Sequence, residues 1–122
     1  MDKITVRIPA QPQYVQIARL ISAGLAARLG FTIDDIEDLK IAVDELAAYM
    51  TGAGGRDGTL EFEFDVFGDR IEIRGVGHFA GDVEVRTDLS EFSRMILDTV
   101  TDGASLEHAD GMPTFKLVKS KA

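Results

Sequence analysis

Cysteine is absent from the 122 residues. A disulfide framework, thiol redox sensing, a thiolate zinc site and a cysteine nucleophile are therefore excluded, and the composition fits a reducing compartment. Positive charge is scarce. Thirteen Lys and Arg stand against 21 Asp and Glu, a net charge of −8. Sequence-blind binding to nucleic acid, which needs cations to neutralise phosphates, is disfavoured, and partners with basic patches are favoured. No apolar run approaches the ~20 residues of a membrane span. The start, MDKITVRIPA, lacks the basic-then-apolar order of a secretory signal. Repeats and low-complexity stretches are missing as well. A soluble, cytoplasmic protein is expected, away from membranes and nucleic acid, with residues 1–122 as one domain. A hydrophobic content of 45% is ordinary for a globular core.

What is present divides cleanly by period. ITVRI (4–8) alternates apolar and polar residues, as a strand with one buried face does. Residues 13–30 carry Tyr14, Ile17, Ile21, Leu25 and Leu29 at helical spacing, with Pro12 before and Gly30 after. The small residues Ala18, Ser22 and Ala26 form a second stripe, suited to close packing within the domain or against a second subunit. Thr32 is a suitable N-cap for the next helix, and Asp34 and Asp35 complement its dipole. That helix buries Ile36, Leu39, Val43, Leu46 and Met50, and places Asp44 four residues from Lys40 as a surface ion pair. GAGGRDG (52–58) breaks the pattern and lacks the lysine and trailing hydroxyl of a phosphate loop, so it reads as a flexible connector.

TLEFEFDVF (59–67) and RIEIR (70–74) alternate around a turn at Gly68-Asp69. Residues 75–88 are expected to be a loop, and 89–100 a third helix with Phe92, Met95, Ile96 and Val100 on one face. ASLEHA and PTFKLV close the chain as a hairpin around Asp110-Gly111. The order is β-α-α-β-β-α-β-β. Half-polar strands with three helices predict an α+β, two-layer sandwich whose single sheet is covered on one face. His78 and His108 are too few for a histidine-rich metal site.

Residues 6–50, VRIPAQPQYVQIARLISAGLAARLGFTIDDIEDLKIAVDELAAYM, resemble the N-terminal half of the RsbW-type anti-sigma factor serine kinases. The Pro-Ala-Gln-Pro start, Arg19 and the IEDLKIAVDE segment carry the likeness, and FGDRIEIR fits the family's next hairpin. This family belongs to the GHKL superfamily. The resemblance implies the histidine-kinase-like ATPase (Bergerat) fold, with one mixed sheet.

Active members of the family bind Mg-ATP through three elements. Of the E-x-x-x-N box, Glu45 matches the glutamate, whereas Tyr49 stands in the asparagine's place, and the chain contains no asparagine at all. Of the D-x-G-x-G box, Gly77 and Phe79 occupy the aspartate and first glycine positions. The glycine-rich lid has no counterpart, since no glycine lies between Gly81 and Gly103. The resemblance therefore implies a degenerate member, a pseudokinase with no catalytic residue, Glu45 being vestigial, and with neither cofactor nor metal. Tyr49, His78 and Phe79 are expected to fill the vacated pocket. Such a chain would be no enzyme but an anti-sigma factor in transcription regulation and stress response. It would sequester an alternative sigma factor until an anti-anti-sigma (STAS) protein releases it. Arg19 and Gln16 are the implied partner-binding residues, and a homodimer is implied. The alternatives are an active serine/threonine kinase that phosphorylates the antagonist, and a regulatory scaffold with a partner other than sigma.

Overall fold

Residues 1–81 and 83–122 are described by a computed structural model. The chain runs β1 (Asp2–Pro9), a 3-10 turn (Pro12–Tyr14), α1 (Val15–Leu29), α2 (Ile33–Thr51), β2 (Gly58–Val66), β3 (Arg70–Phe79), α3 (Glu91–Val100), β4 (Gly103–Ala109) and β5 (Met112–Ser120). This is the expected order, and the helices form one layer on a single five-stranded sheet. The strand order is β1-β2-β3-β5-β4, and every neighbouring pair is antiparallel, so the sheet is not mixed as expected. The reason lies in the crossover through α3. It returns β4 parallel to β3, but β5 inserts between the two and pairs with both, which leaves β4 at the edge.

Alternation along the strands sets the two faces of the sheet. Leu60, Phe62 and Phe64 of β2, Ile71 and Ile73 of β3, and Phe115 and Leu117 of β5 are buried beneath the helices. The intervening residues form ion pairs on the open face: Lys3 with Glu63 at 2.6 Å, Arg7 with Glu61 at 2.9 Å, and Arg74 with Glu63 at 3.3 Å. The hydrogen bond from Lys3 holds the Glu63 carboxyl below the usual carboxylate range. The β4–β5 turn places Asp110 (φ 53°) and Gly111 (φ 76°) in the left-handed region, as a tight hairpin requires.

Three local expectations change. First, α1 seats its small stripe most deeply, with Ile21, Leu25 and Leu29 only partly buried against the core beside it. Ala18, Ser22 and Ala26 are fully buried, whereas Tyr14 and Ile17 are exposed. Without bulky side chains between them, α1 and α2 approach closely, so the stripe serves packing within the domain. Second, β3 continues through 75–79, where a loop was expected. Gly75 and Gly77 permit this, because a Cβ at Gly75 would collide with the Phe115 ring and one at Gly77 would lie 2.6 Å from the Phe79 ring. The remainder of the expected loop includes residue 82, outside the described residues. Third, α3 buries Ser93, Leu97 and Val100, and turns Phe92 and Met95 outward.

Candidate functional site

Glu45 and Tyr49 lie one turn apart on α2, whose start is fixed by the Asp35 amide donating to the Thr32 hydroxyl at 3.1 Å. Both side chains meet the first turn of α3. There Ser90 is the N-cap, its Oγ accepting from the Ser93 amide at 3.0 Å. The Ser90 amide, one of the donors that a helix start leaves free, donates to the Tyr49 hydroxyl at 3.0 Å. The Tyr49 hydroxyl donates to Ser93 Oγ at 2.8 Å, and Ser93 Oγ donates to Glu45 Oε2 at 2.8 Å. A continuous relay, phenol to hydroxyl to carboxylate, thus ties α2 to α3.

Burial acts to raise the Tyr49 phenol, but its hydrogen bonds with Ser90 and Ser93 outweigh it and bring the group below its ordinary range. An ultraviolet titration should therefore show one phenol ionising early, and Tyr49→Phe should abolish that phase. Because the folded-state value is lowered, stability from this group grows only at alkaline pH, above the folded value, and is absent near neutrality. At neutral pH the same variant loses the hydroxyl that serves Ser90 and Ser93. It is expected to destabilise the domain by about 1–2 kcal/mol in a denaturant melt. A cost near zero would mean that the relay does not hold α3.

The end of β3 lies at a depression of about 450 Å³, lined by Gly77, His78, Phe79, Ala80, Met112 and Pro113 among others. Phe79 packs on Gly77, with the Arg56 guanidinium 5.7 Å from its ring centroid. Arg56 also donates to the Met50 carbonyl at 2.8 Å, and its amide donates to the Ala10 carbonyl at 2.8 Å. The 52–58 connector is therefore anchored rather than free. His78 is exposed at the lining of this depression, and His108 is exposed on β4. Tyr49 and Phe79 are both packed against the core.

The remaining predicted residues lie elsewhere. Arg19 Nε donates to Asp44 Oδ1 at 3.0 Å across the α1–α2 boundary, beside a groove of about 420 Å³ lined by Pro12, Val15, Ala48 and Thr51. Asp44 thus pairs with Arg19 and not with Lys40, which reaches Glu37 at 3.2 Å. The close approach of α1 brings the guanidinium within range of Asp44. Gln16 is exposed on α1. The structure therefore brings Glu45 and Tyr49 together, and sets Gly77 with Phe79, and Arg19, in separate places. Ser90 and Ser93 were not anticipated as site residues. The Ser-x-x-Ser spacing was a legible capping signal, but the hydroxyls' contact with α2 is tertiary.

Among the described residues, no group of three or more His, Asp or Glu gathers as a metal cage would. A hard cation such as magnesium takes oxygen ligands. At the position corresponding to the family's asparagine, this chain offers a phenol already engaged by two serines. An aspartate at position 77 would meet the Phe79 ring. These residues do not fit a magnesium–nucleotide pair held in the family's manner. Among the described residues, no helix is long and apolar enough to cross a membrane.

No family model matches the chain. Curated relatives do. The chain is 46% identical over 76 residues to "Serine-protein kinase RsbW" of Bacillus velezensis, which covers 60% of this chain and 48% of the relative. It is 42% identical over 76 residues to the protein of the same name from Listeria innocua, with the same coverage, and 45% identical over 75 residues to that of Bacillus subtilis, covering 59% and 47%. The chain spans about half the length of the curated relatives it matches. The resemblance read from the sequence is thereby borne out. The expectation that the chain is no enzyme is overturned, because these relatives are named as protein kinases. That expectation weighed the missing nucleotide boxes above the kinship of the remaining sequence.

Proposed function

We propose, from its kinship with the RsbW-type serine-protein kinases, that this chain is a regulator of that kind: a serine/threonine kinase acting on an anti-anti-sigma (STAS) protein, and an anti-sigma factor that holds an alternative sigma factor. The observation that carries this reading is the 42–46% identity to proteins named as serine-protein kinases. The kinase half rests on those names, since the α2–α3 seam lacks the usual magnesium ligand. The sequestering half draws support also from the α1–α2 groove, which the partly exposed Arg19 lines with Asp44.

Phosphotransfer from labelled ATP to the purified antagonist tests the kinase half. Label on an antagonist serine is the expected result, and its absence with both proteins folded would refute that half. Sequestration is measured separately, as complex formation with the sigma factor on a sizing column without nucleotide.

The same reading includes a homodimer. β1 is an edge strand, and its free backbone groups can pair with a second copy. Sedimentation at rising concentration should show a doubled mass. A monomer at tens of micromolar in the absence of partner would remove the dimer from the account.

A further inference from the structure

The outer face of α3 sets two large apolar side chains over a groove. Ser93, a polar residue, is buried, while Phe92 and Met95 are 67% and 60% exposed. The inversion has a cause: the Glu45–Ser93–Tyr49 contacts fix the rotation of α3 and turn the two largest apolar side chains to solvent. Phe92 and Met95 are three residues apart on one face, and with Leu89 and Thr99 they line a shallow groove of about 890 Å³. Clustered exposed apolar residues with a polar rim mark an interaction surface more often than scattered single ones do.

Charge selects the occupant. The groove's carboxylates are Glu91 and Asp98. Among the described lining residues the cation is Arg94, which donates to the Ala104 carbonyl at 3.0 Å and lies 4.0 Å from Asp98; it offsets only one of the two carboxylates, and the rim stays negative. A second copy seated symmetrically would set this acidic rim against itself. An anionic membrane would be repelled by a chain of net charge −8. We propose that the outer face of α3 docks a basic amphipathic helix of a partner protein, with its apolar stripe over Phe92 and Met95 and its lysines or arginines against Glu91 and Asp98. Helix-in-groove recognition uses this combination of spaced apolar anchors and flanking charge. The surface is separate from the α1–α2 groove, so its failure would leave the proposed function untouched.

The probe is a short synthetic helix with leucines at three- and four-residue spacing flanked by lysines, and its control has the same leucines flanked by glutamates. Fluorescence anisotropy should show saturable binding of the basic peptide, and backbone amide shifts should gather between Leu89 and Thr99. Affinity should fall at least about tenfold in Phe92→Asp/Met95→Asp. It should fall by a similar factor in Glu91→Lys/Asp98→Lys, which leaves the apolar surface intact and keeps the test open should the first variant misfold. Failure of the basic peptide to bind, equal binding of the acidic peptide, or amide shifts centred elsewhere would overturn the proposal. So would a doubled mass that disappears in the Phe92/Met95 variant, or binding to phosphatidylglycerol vesicles through the same residues.

Discussion

Phe115→Ala is expected to destabilise the domain by about 3–5 kcal/mol, the range for truncating a fully buried phenylalanine. Phe115 is wholly buried, lies edge-on to Phe62 with ring centroids 5.9 Å apart, and covers Gly75, its partner across the β3–β5 pair. The alanine leaves a cavity that the stiff sheet around it closes only in part. Domains of this class are stable by only about 5–15 kcal/mol, so a substantial share of the total is at stake. Chemical denaturation measures the loss, and a cost below about 1 kcal/mol would contradict the placement of the ring. A second variant sharpens the test. Gly75→Ala should be harmful alone, because its Cβ collides with Phe115, and much less so when Phe115 is already alanine. Coupling of about 0.5–3 kcal/mol is expected for residues in contact. The path of β3 toward Gly77 and Phe79 depends on this glycine–ring contact.

If the proposed function holds, Arg19→Glu is expected to weaken binding of a sigma factor by roughly 2 kcal/mol or more, about thirtyfold, as at an interface hot spot. The pair with Asp44 complicates the reading, because a glutamate at 19 would face a carboxylate across the helix boundary. Both side chains are partly exposed, so the structural cost should stay within about 1 kcal/mol. The exchange Arg19→Glu/Asp44→Arg separates the two effects. It restores an intradomain pair, and the melt should recover. Partner affinity should stay low if the guanidinium at 19 touches the partner. Full recovery of affinity in the exchanged protein would mean that Arg19 serves only the domain.

Much of this architecture was legible because it rests on local periodicity. The alternation in β2, the Thr32 cap and the Asp110-Gly111 turn are each decided by neighbouring residues, and each stands as expected. The errors arose where tertiary contact outweighed pattern. In α1, helical spacing is satisfied equally by the large residues and by Ala18, Ser22 and Ala26, and close approach to α2 buried the small set fully, left Ile21, Leu25 and Leu29 partly buried, and left Tyr14 and Ile17 exposed. In α3, the apolar pattern pointed Phe92 and Met95 inward, but hydrogen bonds from another helix buried Ser93 instead. The glycines at 75 and 77 read as loop signals because nothing local announces that an aromatic ring will lie across each of them. Antiparallel pairing throughout could not be read either, since the insertion of β5 between β3 and β4 is a choice of topology that no single segment encodes.

For the candidate site, the sequence located Glu45 and Tyr49 correctly on one face of α2 but gave no partner for either. The α3 serines that complete the relay lie more than forty positions away, at separations of 41 for the Tyr49–Ser90 contact and 48 for Glu45–Ser93. The Arg19–Asp44 pair is likewise a product of helix packing, and local spacing had assigned Asp44 to Lys40. The reading of function went astray in a different way. The departures from the family's boxes concern only a few positions, whereas the match to named kinases extends over 60% of the residues.

Retrieval of the tagged chain from its native cell, with the bound proteins identified by mass, tests the central claim most directly. The account predicts that a sigma factor and a STAS-domain protein come down with the wild-type chain, and that the sigma factor is depleted with Arg19→Glu. Recovery of neither protein, from cells in which both are expressed and the tagged chain is folded, would contradict it.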